Sequence, residues 1–188
     1  TARAKLGLSE DTKIILVYGA LNERKGIQSL IETLNVSSKL ENVHLLLVGK
    51  QSEGIKKYVQ SCALELTRKK RIHTLDRFVD SEEQQLSFMA SDIVWLGYQE
   101  HYTMSGVLVL AAISGKPIIG TRLGLIGWYI NEKKIGLSID TQDKVQIQSA
   151  IQQISSEIDS NSDLYKNEHF DNHNWAVFLH TLSFTENN

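Results

Sequence analysis

Cysteine is nearly absent: Cys62 stands alone, so no disulfide can close within the chain. A single free thiol fits a reducing compartment. Proline is as scarce, with only Pro117, and no low-complexity linker divides the sequence. No stretch approaches the roughly 20 apolar residues of a membrane-spanning helix. The first residues, Thr1 to Leu8, lack the apolar core of a signal peptide. A cytoplasmic protein is expected, with any membrane contact confined to its periphery. The chain opens on Thr1 rather than Met, so an upstream segment is expected. Charge of one sign is also lacking. The net charge of −2 gives no global pull toward nucleic acid. One basic run, Arg68-Lys69-Lys70-Arg71, reads as the solvated end of a helix, where cations are favoured.

Several motifs are missing as well. Neither G-x-G-x-x-G nor G-x-x-x-x-G-K-[ST] occurs, which argues against a nicotinamide site or a P-loop. No D-x-D pair is present to bridge a metal to a diphosphate. The six histidines are scattered, and His169 and His173 have no further ligands clustered with them. No metal and no cofactor are expected. No serine, histidine and acid pattern suggests a hydrolase.

What remains is ordinary in bulk: 188 residues, 41% apolar and 22% charged, enough for one domain over 1–188 with its own core. Short β-branched runs alternate with amphipathic ones. Strands are expected at 14–18, 43–48, 71–75, 93–96, 116–119 and 135–139. The central runs are continuously apolar, as strands buried on both faces must be. Helices are expected over 27–34, 55–66, 81–90, 105–113 and 147–158, with a loop at 159–172 and a closing helix from Trp175 to Leu182. Ser81-Glu82-Glu83-Gln84 has the form of a capping box. This alternation implies βαβ units and a Rossmann-like, doubly wound, mostly parallel sheet with helices on both faces. Ligands of such sheets bind beyond the carboxyl ends of the strands, at the switch point.

Two loops there carry chemistry. The first, Gly19-Ala20-Leu21-Asn22-Glu23-Arg24-Lys25-Gly26, joins a buried strand to a helix. Glycine admits close approach, the helix start offers unpaired N–H groups, and Lys25 adds a charge. A diphosphate needs that combination. An ordinary βα turn with a solvated lysine has the same sequence. The second loop runs Gln99-Glu100-His101-Tyr102-Thr103-Met104-Ser105-Gly106-Val107-Leu108. Thr103 or Ser105 can cap the helix that follows, and the N–H groups of Ser105, Gly106 and Val107 would point out of its start. An N-cap with an idle glycine is the bland alternative. Trp95, Trp128 and Trp175 read as packing residues. Trp128 and Tyr129 are the best candidates among the aromatics for facing a ligand.

Gly19-x5-Lys25-Gly26, Ala90-Ser91-Asp92-Ile93-Val94, Ser105-Gly106-Val107-Leu108 and above all Ser114-Gly115-Lys116-Pro117-Ile118-Ile119-Gly120-Thr121 carry a family resemblance. From about Leu6 to Ile154 the chain resembles the C-terminal half of GT-B glycosyltransferases, family 4 in particular. The resemblance implies transfer of a sugar, usually with retention, from a UDP- or GDP-linked donor to a glycan or lipid-linked acceptor. An acceptor-binding N-terminal domain, not contained in this chain, would complete the enzyme. Lys25 would hold the donor phosphates, with Arg24 as a second catalytic cation. Gly19, Ala20 and Asn22 would line the phosphate turn, and Phe78 and Val79 the base. Glu100, Tyr102, Thr103, Met104, Ser105, Gly106 and Val107 would meet the distal phosphate or the sugar. The chain departs from the pattern where members often carry an arginine (here Ala20) and a pair of glutamates (here Tyr102 and Leu110). A non-catalytic nucleotide-sugar-binding or scaffolding module is therefore the alternative expectation. A Rossmann-like dehydrogenase or epimerase domain is a third, disfavoured by the absent dinucleotide fingerprint.

Overall fold

Which strands touch decides where the two loops end up. The computed structural model describes residues 1–161 and 164–165. Its strands are β1 (Lys13–Tyr18), β2 (Val43–Val48), β3 (Ile72–Leu75), β4 (Ile93–Leu96), β5 (Ile118–Thr121) and β6 (Gly136–Ile139). They form one parallel sheet in the order β3-β2-β1-β4-β5-β6. The helices are α1 (Ala2–Lys5), α2 (Ile27–Val36), α3 (Glu53–Cys62), α4 (Leu64–Arg68), α5 (Ser81–Ala90), α6 (Gly106–Ile113), α7 (Gly124–Lys133) and α8 (Lys144–Ser160).

Alternate residues of each central strand feed opposite cores. Ile15, Val17, Leu45 and Leu47 pack against Leu30 and Ile31 of α2, Ile55 of α3, Leu66 of α4 and Ile147, Ile151 and Ile154 of α8. Ile14, Leu16, Leu46 and Val48 pack against Phe88 of α5, Leu108 of α6 and Ile126 and Ile130 of α7. Two covered faces explain why β1, β2 and β4 read as apolar runs, broken in β2 only by His44. The fold is the doubly wound α/β arrangement.

Several local expectations need correction. A helix, α7, fills 124–133, which the sequence reading left between strands. Its apolar residues show little helical periodicity, and Gly124 and Gly127 suggest a loop. Gly127 is required, since a Cβ there would lie 2.3 Å from the Arg122 carbonyl oxygen. The capping box is shifted by one residue: Asp80 is the N-cap of α5 and Glu83 reaches back to its N–H. Met89 of α5 faces outward, while Phe88 faces the core and meets the Tyr18 ring at 5.2 Å. The basic run is not wholly solvated. Arg71 is buried and donates through Nε to the Val43 carbonyl at 3.0 Å, tying β3 to β2. β5 begins two residues later than expected, and α8 extends to Ser160. The helix expected over Trp175–Leu182, with His169 and His173, lies outside the described residues.

Candidate functional site

β1 and β4 are neighbours at the centre of the sheet, with Ile15 opposite Ile93. β1 leads by α2 toward β2 on one side, and β4 leads by α6 toward β5 on the other. The turns leaving them therefore part company above the sheet, and the crevice between them is the switch point.

The first turn is held by backbone contacts. After β1 the chain forms a single 3-10 turn, Glu23–Lys25, and closes it with Gly26 at φ 63°. A Cβ at Gly26 would sit 2.2 Å from the Gly97 carbonyl oxygen, so that position admits glycine alone. The Trp95 indole donates to the Lys25 carbonyl at 2.9 Å, and the Gln99 N–H donates to the Arg24 carbonyl at 2.7 Å. The end of β4 thus grips the turn that follows β1. On the other flank Leu21 bridges to Gln51, and Ser52 Oγ donates to Glu23 Oε1 at 2.9 Å. Asp76 anchors that flank by accepting from the Gln51 N–H at 2.8 Å. That bond, aided by Lys56 and Lys50, holds its carboxyl below the usual carboxylate range.

Lys25 is only 7% exposed. Its ammonium donates to the Tyr18 carbonyl at 2.7 Å and to the Tyr98 hydroxyl at 2.8 Å. It also lies 4.7 Å from the centre of the Tyr98 ring, but it meets the ring at its oxygen, so the hydrogen bond carries the contact. Among the described residues no carboxylate pairs with Lys25. Tyr98 in turn lies 3.2 Å from Ser105 Oγ. Ser105 is the N-cap of α6, accepting from the Val107 N–H at 3.3 Å, while its carbonyl accepts from Leu108 at 3.1 Å. The space beside Gly106 is open. Gly19, at φ 96°, lies between the two turns: a Cβ there would sit 3.5 Å from the Lys25 ammonium and 3.9 Å from Val107 Cγ2.

The two turns therefore converge. A buried cation without an anionic partner is costly. Beside the positive end of α6, it makes the crevice a place where an anion gains and water loses.

The remaining residues divide. Arg24 is exposed and its guanidinium lies 3.2 Å from His101 Nδ1, whose ring stacks on Tyr98 at 4.8 Å. Thr103 Oγ1 lies 3.3 Å from His101 Nε2. Ala20 is exposed, and Asn22 holds a buried Oδ1 without a partner. Glu100, at φ 51°, and Tyr102 are exposed on the rim, whereas Met104 packs against the second core. Phe78 and Val79 are not brought to Lys25. They follow the edge strand β3, with β2 intervening, and Phe78 is 85% exposed. Leu110 packs against the second core and does not reach the crevice as an acceptor.

A second cleft of about 190 Å³ adjoins the crevice over the ends of β4, β5 and β6, sharing Tyr98, Glu100 and Tyr102 with it. Arg122 and Asp140 pair across its wall at 3.1 Å. Sequence reasoning missed Tyr98, the Trp95 clamp and this cleft. The one available signal for Tyr98 was its place two residues beyond β4. Among the described residues, no three His, Cys, Asp or Glu side chains gather in a way that could hold a metal ion. None of the described helices is long and apolar enough to cross a membrane.

A doubly wound parallel sheet, with Lys25 and the start of α6 meeting at its switch point, defines a Rossmann-like domain. Comparison with known proteins gives the family. The sequence model described as "Glycosyl transferases group 1" matches residues 1–169, and the chain belongs to that family. It is 28% identical over 152 residues to the lipopolysaccharide core biosynthesis glycosyltransferase LpsE of Rhizobium meliloti, covering 81% of this chain and 42% of that protein. This chain thus spans less than half of that relative. Among solved structures it resembles sucrose-phosphate synthase from Thermosynechococcus elongatus, with a TM-score of 0.76 at 23% identity, over 98% of this chain and 48% of that one. It also resembles HepE of Anabaena in complex with UDP, with a TM-score of 0.64 at 23% identity, over 95% and 51%.

Proposed function

We propose that this chain is the donor-binding domain of a glycosyltransferase that moves a hexosyl unit from a UDP- or GDP-linked sugar to a glycan or lipid-linked acceptor. The observation that carries the reading is the buried Lys25 ammonium, whose partners among the described residues are two neutral acceptors, one of which joins it to the start of α6. Membership of the glycosyltransferase family supports it, as does the UDP bound by the similar HepE. The lipopolysaccharide role named for LpsE supports the acceptor class.

In this reading the diphosphate lies in the crevice, between Gly19 and Gly106. Lys25 and the N–H groups of α6 stabilise the charge that grows on the departing nucleotide diphosphate. Donors aimed where charge develops raise the rate without a metal. Gly19, Ala20 and Asn22 border the phosphates, with Arg24 at the rim. Glu100, Tyr102, Thr103 and Met104 border the sugar. Phe78 and Val79 take the base at the far end of the carboxyl edge. Transfer proceeds with retention, and an N-terminal domain supplies the acceptor site, so this chain alone binds donor but does not turn it over. The full protein acts in the cytoplasm, with peripheral membrane contact.

The test is calorimetric titration of the chain with UDP, GDP and NAD. Binding of UDP or GDP without NAD is expected, and binding of NAD alone would overturn the reading. A second reading is favoured by one observation: Leu110, where the family often has a ribose-binding glutamate, packs into the core. A non-catalytic nucleotide-sugar module would then bind UDP or GDP while the full-length protein shows no turnover.

A further inference from the structure

The hydrogen bonds joining the two turns have a direction. An ammonium can only donate. The Tyr98 oxygen must therefore accept from Lys25, at 2.8 Å. Either hydroxyl can donate across the 3.2 Å contact with Ser105 Oγ; the phenol, the more acidic of the two and already accepting from Lys25, is the better donor. Ser105 Oγ accepts from the Val107 N–H as well, at 3.3 Å. With both lone pairs engaged, the serine hydroxyl has only its proton left to offer. We infer that Tyr98 is a positioning residue of the donor site: it fixes the Lys25 ammonium and, through the same hydroxyl, sets Ser105 as a hydrogen-bond donor facing the crevice.

The consequence is a set of three donors at the meeting of the two turns. Lys25 keeps one N–H beyond the two given to Tyr18 and Tyr98. Ser105 presents its O–H, and Gly106 presents a helix-start N–H beside open space. A ligand rich in acceptors and poor in donors, such as the bridging and terminal oxygens of a diphosphate, satisfies all three. The ring of Tyr98 is itself held by His101, stacked at 4.8 Å, so its hydroxyl is not free to swing. This inference rests on the donor-site reading, and its test separates the two.

The experiment uses the chain labelled with 15N-lysine, the variants Tyr98→Phe and Ser105→Ala, and titration with UDP, GDP and inorganic pyrophosphate. In the wild type the Lys25 ammonium should give a slowly exchanging Nζ resonance. Tyr98→Phe keeps the ring but removes the hydroxyl, and should broaden or shift that resonance while the melting profile keeps a single cooperative transition. Ser105→Ala should leave the Lys25 resonance near its wild-type position. Affinity for pyrophosphate should fall about tenfold in Tyr98→Phe, at the low end of the loss of one charge-assisted bond, because Lys25 remains but is no longer fixed. The loss in the double variant with Ser105→Ala should be smaller than the two single losses combined, because one relay feeds both donors. An unchanged Lys25 resonance in Tyr98→Phe, or unchanged pyrophosphate affinity, overturns the positioning role. A wild type that binds pyrophosphate but neither UDP nor GDP overturns the nucleotide reading while leaving that of Tyr98 intact.

Discussion

Replacing Lys25 by methionine separates a ligand-binding lysine from a structural one. Methionine keeps the length and apolar stem of the side chain and removes the charge. The variant loses the bonds to the Tyr18 carbonyl and the Tyr98 hydroxyl. It also relieves the fold of a cation that is 7% exposed and, among the described residues, pairs with no carboxylate. Bonds made by charged groups contribute about 1.5–3 kcal/mol each, whereas an uncompensated buried ion costs several kcal/mol. The two effects oppose each other in the free protein. At about 2–4 °C per kcal/mol for a chain of this size, the thermal midpoint should stay within about 4 °C of wild type or rise. Donor binding has no such compensation. Losing one charge-assisted contact to a diphosphate should weaken UDP or GDP about 10- to 150-fold. Calorimetry and thermal melts on the same preparations read both quantities. A midpoint lowered by about 8 °C or more with UDP affinity intact would refute the reasoning, since Lys25 would then serve the fold and not the ligand.

Two further outcomes concern the scaffold. Gly26→Ala places a Cβ 2.2 Å from the Gly97 carbonyl oxygen on backbone already at positive φ, so it should cost at least about 2 kcal/mol in chemical denaturation. His44 and His73 stack between β2 and β3, and burial lowers the pKa of each below 6.5, with mutual repulsion adding to it at His44. A lowered native pKa means that the unfolded chain binds more protons. The pair's stability contribution is therefore complete above 6.5 and is lost as pH falls through that value toward the native pKa. The double variant His44→Gln/His73→Gln should flatten the drop in thermal midpoint between about pH 7.5 and pH 5.5, and an unchanged slope would assign acid sensitivity elsewhere.

Legibility in the sequence followed burial. β1, β2 and β4 were plain because strands covered on both faces are almost wholly apolar, with Lys13 at the edge of β1 and His44 in β2 as the exceptions. α7 was hidden because its buried residues, Ile126, Gly127 and Ile130, are too few to mark a helical face. The capping box was ambiguous in principle, since Asp80-x-x-Glu83 and Ser81-x-x-Gln84 both satisfy the pattern and only the backbone decides. Arg71 shows the limit of reading charge runs: neighbouring cations look alike in a string, yet one turns inward to bind carbonyls. At the site, the positions of Lys25 and Ser105 followed from the rule for switch points. Their link through Tyr98 did not, because an isolated tyrosine after a strand belongs to no motif. It becomes visible only when two loops distant in sequence are set side by side.

The indole of Trp95 and the amide of Gln99 fasten the Lys25 turn to the neighbouring strand before any ligand arrives. Ordering that loop is therefore charged to folding rather than to association, so tight binding there does not require the loop to close. Phe78, by contrast, stands on a separate rim beyond β2, outside this bracing. Under the proposed donor site, variation at that rim would change which base is accepted while the phosphate anchorage stayed fixed, so that one scaffold would serve donors differing only in their nucleobase.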